Sequence, residues 1–130
     1  MVGIVVVSHS EDLAAGLTAL AAQMAGPDVA IEPAGGTPGG GLGTDEARVR
    51  AAIERAGRGG DGVVVLADLG SSILTVRHLL NGNGTEQNGV RLADAPFVEG
   101  AVTAAVTASV GAALADVVES AEGARGARKL

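Results

Sequence analysis

Two polar residues close apolar runs of a kind that belongs in the middle of a sheet. M-V-G-I-V-V-V ends on Ser8-His9-Ser10, and G-V-V-V-L-A, residues 62–67, ends on Asp68. A neutral imidazole attacks with one ring nitrogen while the other holds the proton. A carboxylate bonded to that proton fixes the tautomer and stabilises the cation that forms. Two glycine-containing stretches add groups for an anion: Gly70-Ser71-Ser72, and the loop at 35–43 with Gly36 and Thr37 near its start. Glycine turns and helix N-termini offer backbone N–H groups to phosphoryl oxygens. The combination suggests a phosphohistidine carrier, with His9 as nucleophile, Asp68 as its orienting partner, and Gly36, Thr37, Gly70, Ser71 and Ser72 as phosphate ligands.

Each piece also has a plainer reading. A lone histidine at a strand end is more often a satisfied surface residue than a nucleophile. Asp68 could brace its own turn, Ser71 could be a helix N-cap, and Ser8 with Glu11 has capping-box spacing. The glycine loop could be filler, and His78 beside Arg77 reads as part of a solvated face. Only the joint placement of the pieces favours chemistry. Other phosphate chemistries fit worse. The loop lacks the lysine of G-x-x-x-x-G-K-[ST] and does not follow G-x-G-x-x-G after a strand. A two-component receiver needs an acidic pair where this chain has Ser8-His9-Ser10. A serine hydrolase would want G-x-S-x-G, and two histidines without cysteine make a poor zinc site. No metal or cofactor is expected.

The elements that must position these residues follow from periodicity. Val2–Val7 reads as a strand covered on both faces. Leu13, Leu17, Leu20, Ala21 and Met24 recur at helical spacing until Gly26-Pro27. Val29–Ile31 is a second strand, and the glycine-rich stretch 34–45 holds no regular element. Thr44 can cap a helix with Asp45 and Glu46 in its first turn, a buried stripe of Val49, Ala52, Ile53 and Ala56, and Gly57 at its end. Gly62–Ala67 is the third strand, and Ser71 begins a helix with Ile73, Leu74, Val76, Leu79 and Leu80 apolar. Residues 81–89 read as a loop, and Val90 and Leu92 mark a short strand. Asp94 and Pro96 open a final helix running to about Ala121, with Val98, Val102, Val106, Val110 and Leu114 repeating every four residues. The order β-α-β-α-β-α-β-α predicts an α/β fold: three layers, doubly wound, a mostly parallel sheet with helices on both faces. Chemistry in such sheets gathers beyond the carboxyl ends of the strands, where His9 and Asp68 both lie.

The 130 residues are expected to form one domain over 1–122, with 123–130 a loose tail. Phe97 is the only aromatic, so small and branched aliphatics must fill the core. Without cysteine there are no disulfides or thiolate sites, and the formal charge of -6 argues against a nucleic-acid partner. No basic segment precedes Met1–Val7, and the uncharged run Gly100–Ala115 is too short to span a bilayer. A cytoplasmic protein with no membrane partner is the expectation.

V-V-S-H-S at 6–10, A-G-G-T at 34–37, G-x-G-T at 41–44 and V-L-A-D-L-G-S at 65–71 resemble the DhaM family. These are the phosphotransfer subunits of phosphoenolpyruvate-dependent dihydroxyacetone kinases, and the resemblance covers essentially the whole chain. Their first domain is similar to the EIIA component of mannose-type phosphotransferase systems, a doubly wound fold that dimerises. The resemblance implies that His9 takes a phosphoryl group from phospho-HPr and that Asp68 orients its ring. It implies that the group passes to ADP held on DhaL, whose ATP phosphorylates dihydroxyacetone on DhaK, and that the chain is a homodimer. Some DhaM chains continue into HPr-like and enzyme-I-like domains; these residues correspond to the EIIA-like unit, so a separate HPr and enzyme I are expected. The alternatives are a mannose-type EIIA of a sugar transporter, which D-L-G-S disfavours, and a regulatory domain with a degenerate site, which the intact His9 and Asp68 disfavour.

Overall fold

The computed structural model describes residues 1–80 and 85–130. Its centre is β1 (Gly3–Ser8), flanked in parallel by β2 (Ile31–Gly35) and β3 (Val63–Ala67). β5 (Val90–Leu92) adds in parallel to β3, and β4 (Glu86–Gln87) closes that edge antiparallel, giving the order β2-β1-β3-β5-β4. Successive side chains on a strand point to opposite faces. Accordingly Val2, Ile4 and Val6, with Val64 and Leu66, face one core, while Val5, Val7, Val63, Val65 and Ala67 face the other. That division explains why both strands read as unbroken apolar runs. The first face is covered by α1 (Glu11–Ala25), α4 (Phe97–Ser109) and α5 (Leu114–Gly123), the second by α2 (Glu46–Ala56) and α3 (Gly70–Leu79). The three-layer, doubly wound architecture is the one the element order predicts.

Five local expectations need correction. The second strand runs over Ile31–Gly35, not Val29–Ile31, so Ala34 and Gly35 of the glycine-rich stretch belong to the sheet. The final helix is two helices: α4 stops at Ser109 and α5 begins at Leu114. Between them Gly111 sits at φ +81°, a conformation glycine adopts without the Cβ clash. Nor is the valine stripe the buried face of α4. Gly100, Ala101, Ala104, Ala105 and Ala108 are buried, while Val98, Val106 and Val110 are exposed. A repeat of four residues advances about 40° per step on a helix of 3.6 residues per turn, so such a stripe walks off any one face. Likewise α1 buries Ala14, Leu17 and Ala21 but exposes Leu13, Leu20 and Met24. Glu86–Gln87, placed in a loop by composition, forms the edge strand β4; Asn81 to Gly84 of that loop lie outside the described residues.

Small residues let the layers approach closely. A Cβ at Gly100 would lie 2.9 Å from Ala95 Cβ, and one at Gly35 would lie 2.5 Å from Ser10 O and 2.8 Å from Ala14 Cβ. The second contact seats the start of α1 directly on β2, beside His9. Beyond α5, a short 3-10 turn (Ala124–Gly126) carries Arg125, whose guanidinium pairs with Asp94. Lys129 Nζ lies 2.8 Å from Glu99. Among the described residues no helix is long and apolar enough to cross a membrane.

Candidate active site

Register brings the two strand-ending residues together. Val7 is paired with Ala67, and the Asp68 N–H donates to Val7 O at 3.1 Å, so the chain beyond β3 leaves directly beside Ser8 and His9. Separated by 59 positions in sequence, His9 Nδ1 and Asp68 Oδ1 lie 3.0 Å apart. The aspartate is saturated with donors. Oδ2 accepts from Ser8 Oγ at 2.8 Å and from the His9 N–H at 3.1 Å. Oδ1 also accepts from the Leu69 N–H at 2.7 Å and from Ser72 Oγ at 2.8 Å. Burial pushes the Asp68 pKa up, but the bonds from Ser8, the His9 amide, the His9 ring and Ser72 outweigh it and hold the carboxyl down at about 2.

An ionised carboxylate only accepts, so the proton of the neutral ring belongs on Nδ1 and the lone pair on Nε2. Nε2 faces the hydroxyl of Ser71, which is exposed, as is Gly70 beside it. The side chain of His9 is 23% exposed and that of Asp68 8%, so the Nε2 edge of the ring points outward while the carboxylate behind it is buried. Leu69 occupies the N-cap position of α3 with no side-chain cap, leaving the first turn of that helix, Gly70 and Ser71, beside Nε2.

The expected site residues divide by position. His9, Asp68, Gly70, Ser71 and Ser72 converge. Ser72, however, is completely buried behind the ring, 3.0 Å from Nδ1, on the side away from Nε2. Gly36 and Thr37 lie in a loop that spends its donors on the protein. Gly36 N–H points to Ser8 O (3.3 Å), Thr37 N–H to Gly41 O (3.0 Å), and Gly41 N–H to Thr37 Oγ1 (3.1 Å). The Gly43 N–H reaches the carbonyl of His9 itself at 2.8 Å. In this conformation the amides of Gly36 and Thr37 are bonded within the protein, and the loop holds the histidine in place through Gly43.

The plainer capping readings resolve onto neighbours. Ser10, not Ser8, caps α1 by accepting from the Leu13 N–H, and Asp45, not Thr44, caps α2. Ser8, freed from capping, accepts from the Ser10 N–H and holds Asp68. Sequence reasoning missed this duty of Ser8, and that of Thr44, which bonds Ser72. The only signal was that a better cap follows each hydroxyl, Ser10 two positions after Ser8 and Asp45 one after Thr44. His78 is exposed on α3. Among the described residues no group of three or more His, Cys, Asp or Glu is placed to hold a metal.

The model of the family EIIA-man, described as the PTS system fructose IIA component, matches residues 3–118. The chain belongs to that family. Within it the curated relatives are DhaM subunits. The PEP-dependent dihydroxyacetone kinase phosphoryl donor subunit DhaM of Klebsiella michiganensis is 37% identical over 134 residues, covering 100% of this chain and 28% of that protein. Dihydroxyacetone kinase 2 of Listeria innocua has a DhaM subunit 37% identical over 111 residues, 85% of this chain and 88% of the relative. The chain thus spans little more than a quarter of the length of the Klebsiella relative and most of the Listeria one. The crystal structure of a protein of unknown function, EF1359, superimposes with a TM-score of 0.81 at 32% identity, covering 95% of both chains. The DhaM resemblance carried by S-H-S and D-L-G-S therefore holds at the level of the family.

Proposed function

We propose that this EIIA-man domain is a phosphohistidine carrier that accepts a phosphoryl group on Nε2 of His9 from phospho-HPr. It then passes the group to ADP bound on DhaL, so that the resulting ATP phosphorylates dihydroxyacetone on DhaK. The observation that carries the reading is the five-donor clamp on Asp68, which commits Nδ1 to the protein and leaves Nε2 as the outward lone pair. In the forward step that lone pair attacks phosphorus and forms an N–P bond, while the N–P bond of the donor histidine breaks and its nitrogen leaves with the electron pair. No proton need move at His9. The ring becomes cationic with Nδ1–H kept, and Asp68 stabilises that charge. The return step is the same displacement, with a β-phosphate oxygen of ADP as nucleophile.

Ser71 has the part of first phosphate ligand: its hydroxyl, now on Nε2, turns to a phosphoryl oxygen, and the amides of Gly70 and Ser71 join it at the positive end of α3. Ser72 belongs to the anchor of the ring. Gly36 and Thr37 serve by keeping the loop folded on Ser8 and His9. The same proposal has the chain acting as a homodimer, on the strength of the family. The test is intact mass after incubation with phosphoenolpyruvate, enzyme I and HPr. Wild type should gain one acid-labile phosphoryl group and His9→Ala none, with its fold intact. Labelling of His9→Ala at the normal rate would reject the reading.

A further inference from the structure

Thr44, at the end of the glycine loop, is tied to the candidate site although it touches neither the ring nor the carboxylate. Its Oγ1 lies 2.8 Å from Ser72 Oγ. The direction of that bond follows from its neighbours. Ser72 spends its one proton on the acceptor-only Asp68, so it must accept from Thr44. The oriented chain runs from Thr44 to Ser72 to Asp68, and the His9 Nδ1–H reaches the same carboxylate oxygen. Nδ1 is 3.0 Å from both Asp68 Oδ1 and Ser72 Oγ. A Ser72 hydroxyl turned toward the ring would donate to Nδ1 and leave the ring proton on Nε2; a threonine hydroxyl donating to Ser72 polarises it, strengthens its bond to the carboxylate and so keeps its proton on Asp68. The loop that carries Thr44 is fastened at two more points: a parallel bridge between Gly36 and Thr44, and the Gly43 N–H on His9 O.

We propose that Thr44 is a positioning residue which, through Ser72, keeps the His9 ring on Asp68 in the Nδ1–H form and so makes a reactive Nε2 depend on the folded glycine loop. Its effect on transfer rate rests on the carrier reading of His9; its effect on the tautomer does not. The experiment uses Thr44→Val, nearly equal in volume, with Thr44→Ser as the rescue and Thr44→Ala as a second deletion should the valine fail to fold. Nitrogen-15 spectra of labelled histidine in wild type should show His9 as a single Nδ1–H tautomer at neutral pH. Thr44→Val should show a mixture, and Thr44→Ser should restore the wild-type pattern. Phosphorylation by phosphoenolpyruvate, enzyme I and HPr should slow about ten-fold in Thr44→Val, the order expected for a group that orients a functional histidine from behind. In a Ser72→Ala background Thr44→Val should add nothing. A Thr44→Val protein with the wild-type tautomer, or one whose loss is unchanged in the Ser72→Ala background, overturns the proposal. If wild type takes no phosphoryl group, the carrier reading fails, and the tautomer spectra still decide the role of Thr44.

Discussion

At the scale of residues, the site consists of one exposed imidazole edge and one carboxylate bound from five directions. Because folding holds the Asp68 carboxyl down at about 2, the native state binds fewer protons than the unfolded chain between that value and the ordinary carboxylate range. The stabilisation is therefore complete above about pH 4 and is lost as pH falls through about 2, and it amounts to roughly 2 kcal/mol. Asp68→Asn should be less stable than wild type by that amount at pH 7, and denaturant titrations should show the two converging as pH drops below about 4. A gap that persisted undiminished at pH 2 would mean that the stabilisation does not come from the ionised carboxylate. The same variant should slow phosphoryl transfer on the order of 100-fold, because the amide stabilises neither the Nδ1–H tautomer nor the imidazolium.

At the scale of elements, the site depends on how closely α1 lies on β2. Gly35 allows the approach: a Cβ there would meet Ser10 O at 2.5 Å, so Gly35→Ala must push the start of α1, and the turn at His9 with it, away from the sheet. Such overpacking should cost about 1–3 kcal/mol in unfolding and lower the rate of His9 phosphorylation more than stability alone accounts for. Val106→Ala, on the exposed side of α4, should change stability by no more than about 0.5 kcal/mol and leave the rate unaltered. A Gly35→Ala protein with unchanged stability and rate would show that the contact is not needed. These helix faces were hard to read in the sequence for a physical reason. Alanine and glycine carry little hydrophobic signal but form the buried faces of α1 and α4, while the larger Leu13, Leu20, Val98 and Val106 draw attention and lie outside. β1 and β3 read correctly because both their faces are buried and every residue reports the same environment, whereas the half-buried β2 and the two-residue edge strand β4 did not.

At the scale of the whole molecule, topology brings the candidate residues together. A parallel sheet with β1 between β2 and β3 puts the ends of three strands on one rim, so the order of elements was enough to bring His9 and Asp68 together and to aim the Gly70-Ser71 turn at them. Register across the sheet decides what the sequence could not: that Ser8 faces Asp68 and does not cap α1, that Ser72 stands behind the ring, and that Thr44 reaches α3. Those assignments turn on side chains 28 to 63 positions apart and on which of two nearby side chains, Ser8 or Ser10 and Thr44 or Asp45, wins a cap. The phosphorylated protein offers the most direct test of the account, since one spectrum reports the nitrogen that carries phosphorus and the one that keeps its proton. Phosphorus-31 and nitrogen-15 spectra of the histidine-labelled protein, recorded after phosphorylation by enzyme I and HPr, should show one phosphorus on Nε2 of His9 with the proton still on Nδ1. Phosphorus on Nδ1, or on any residue other than His9, would contradict the account.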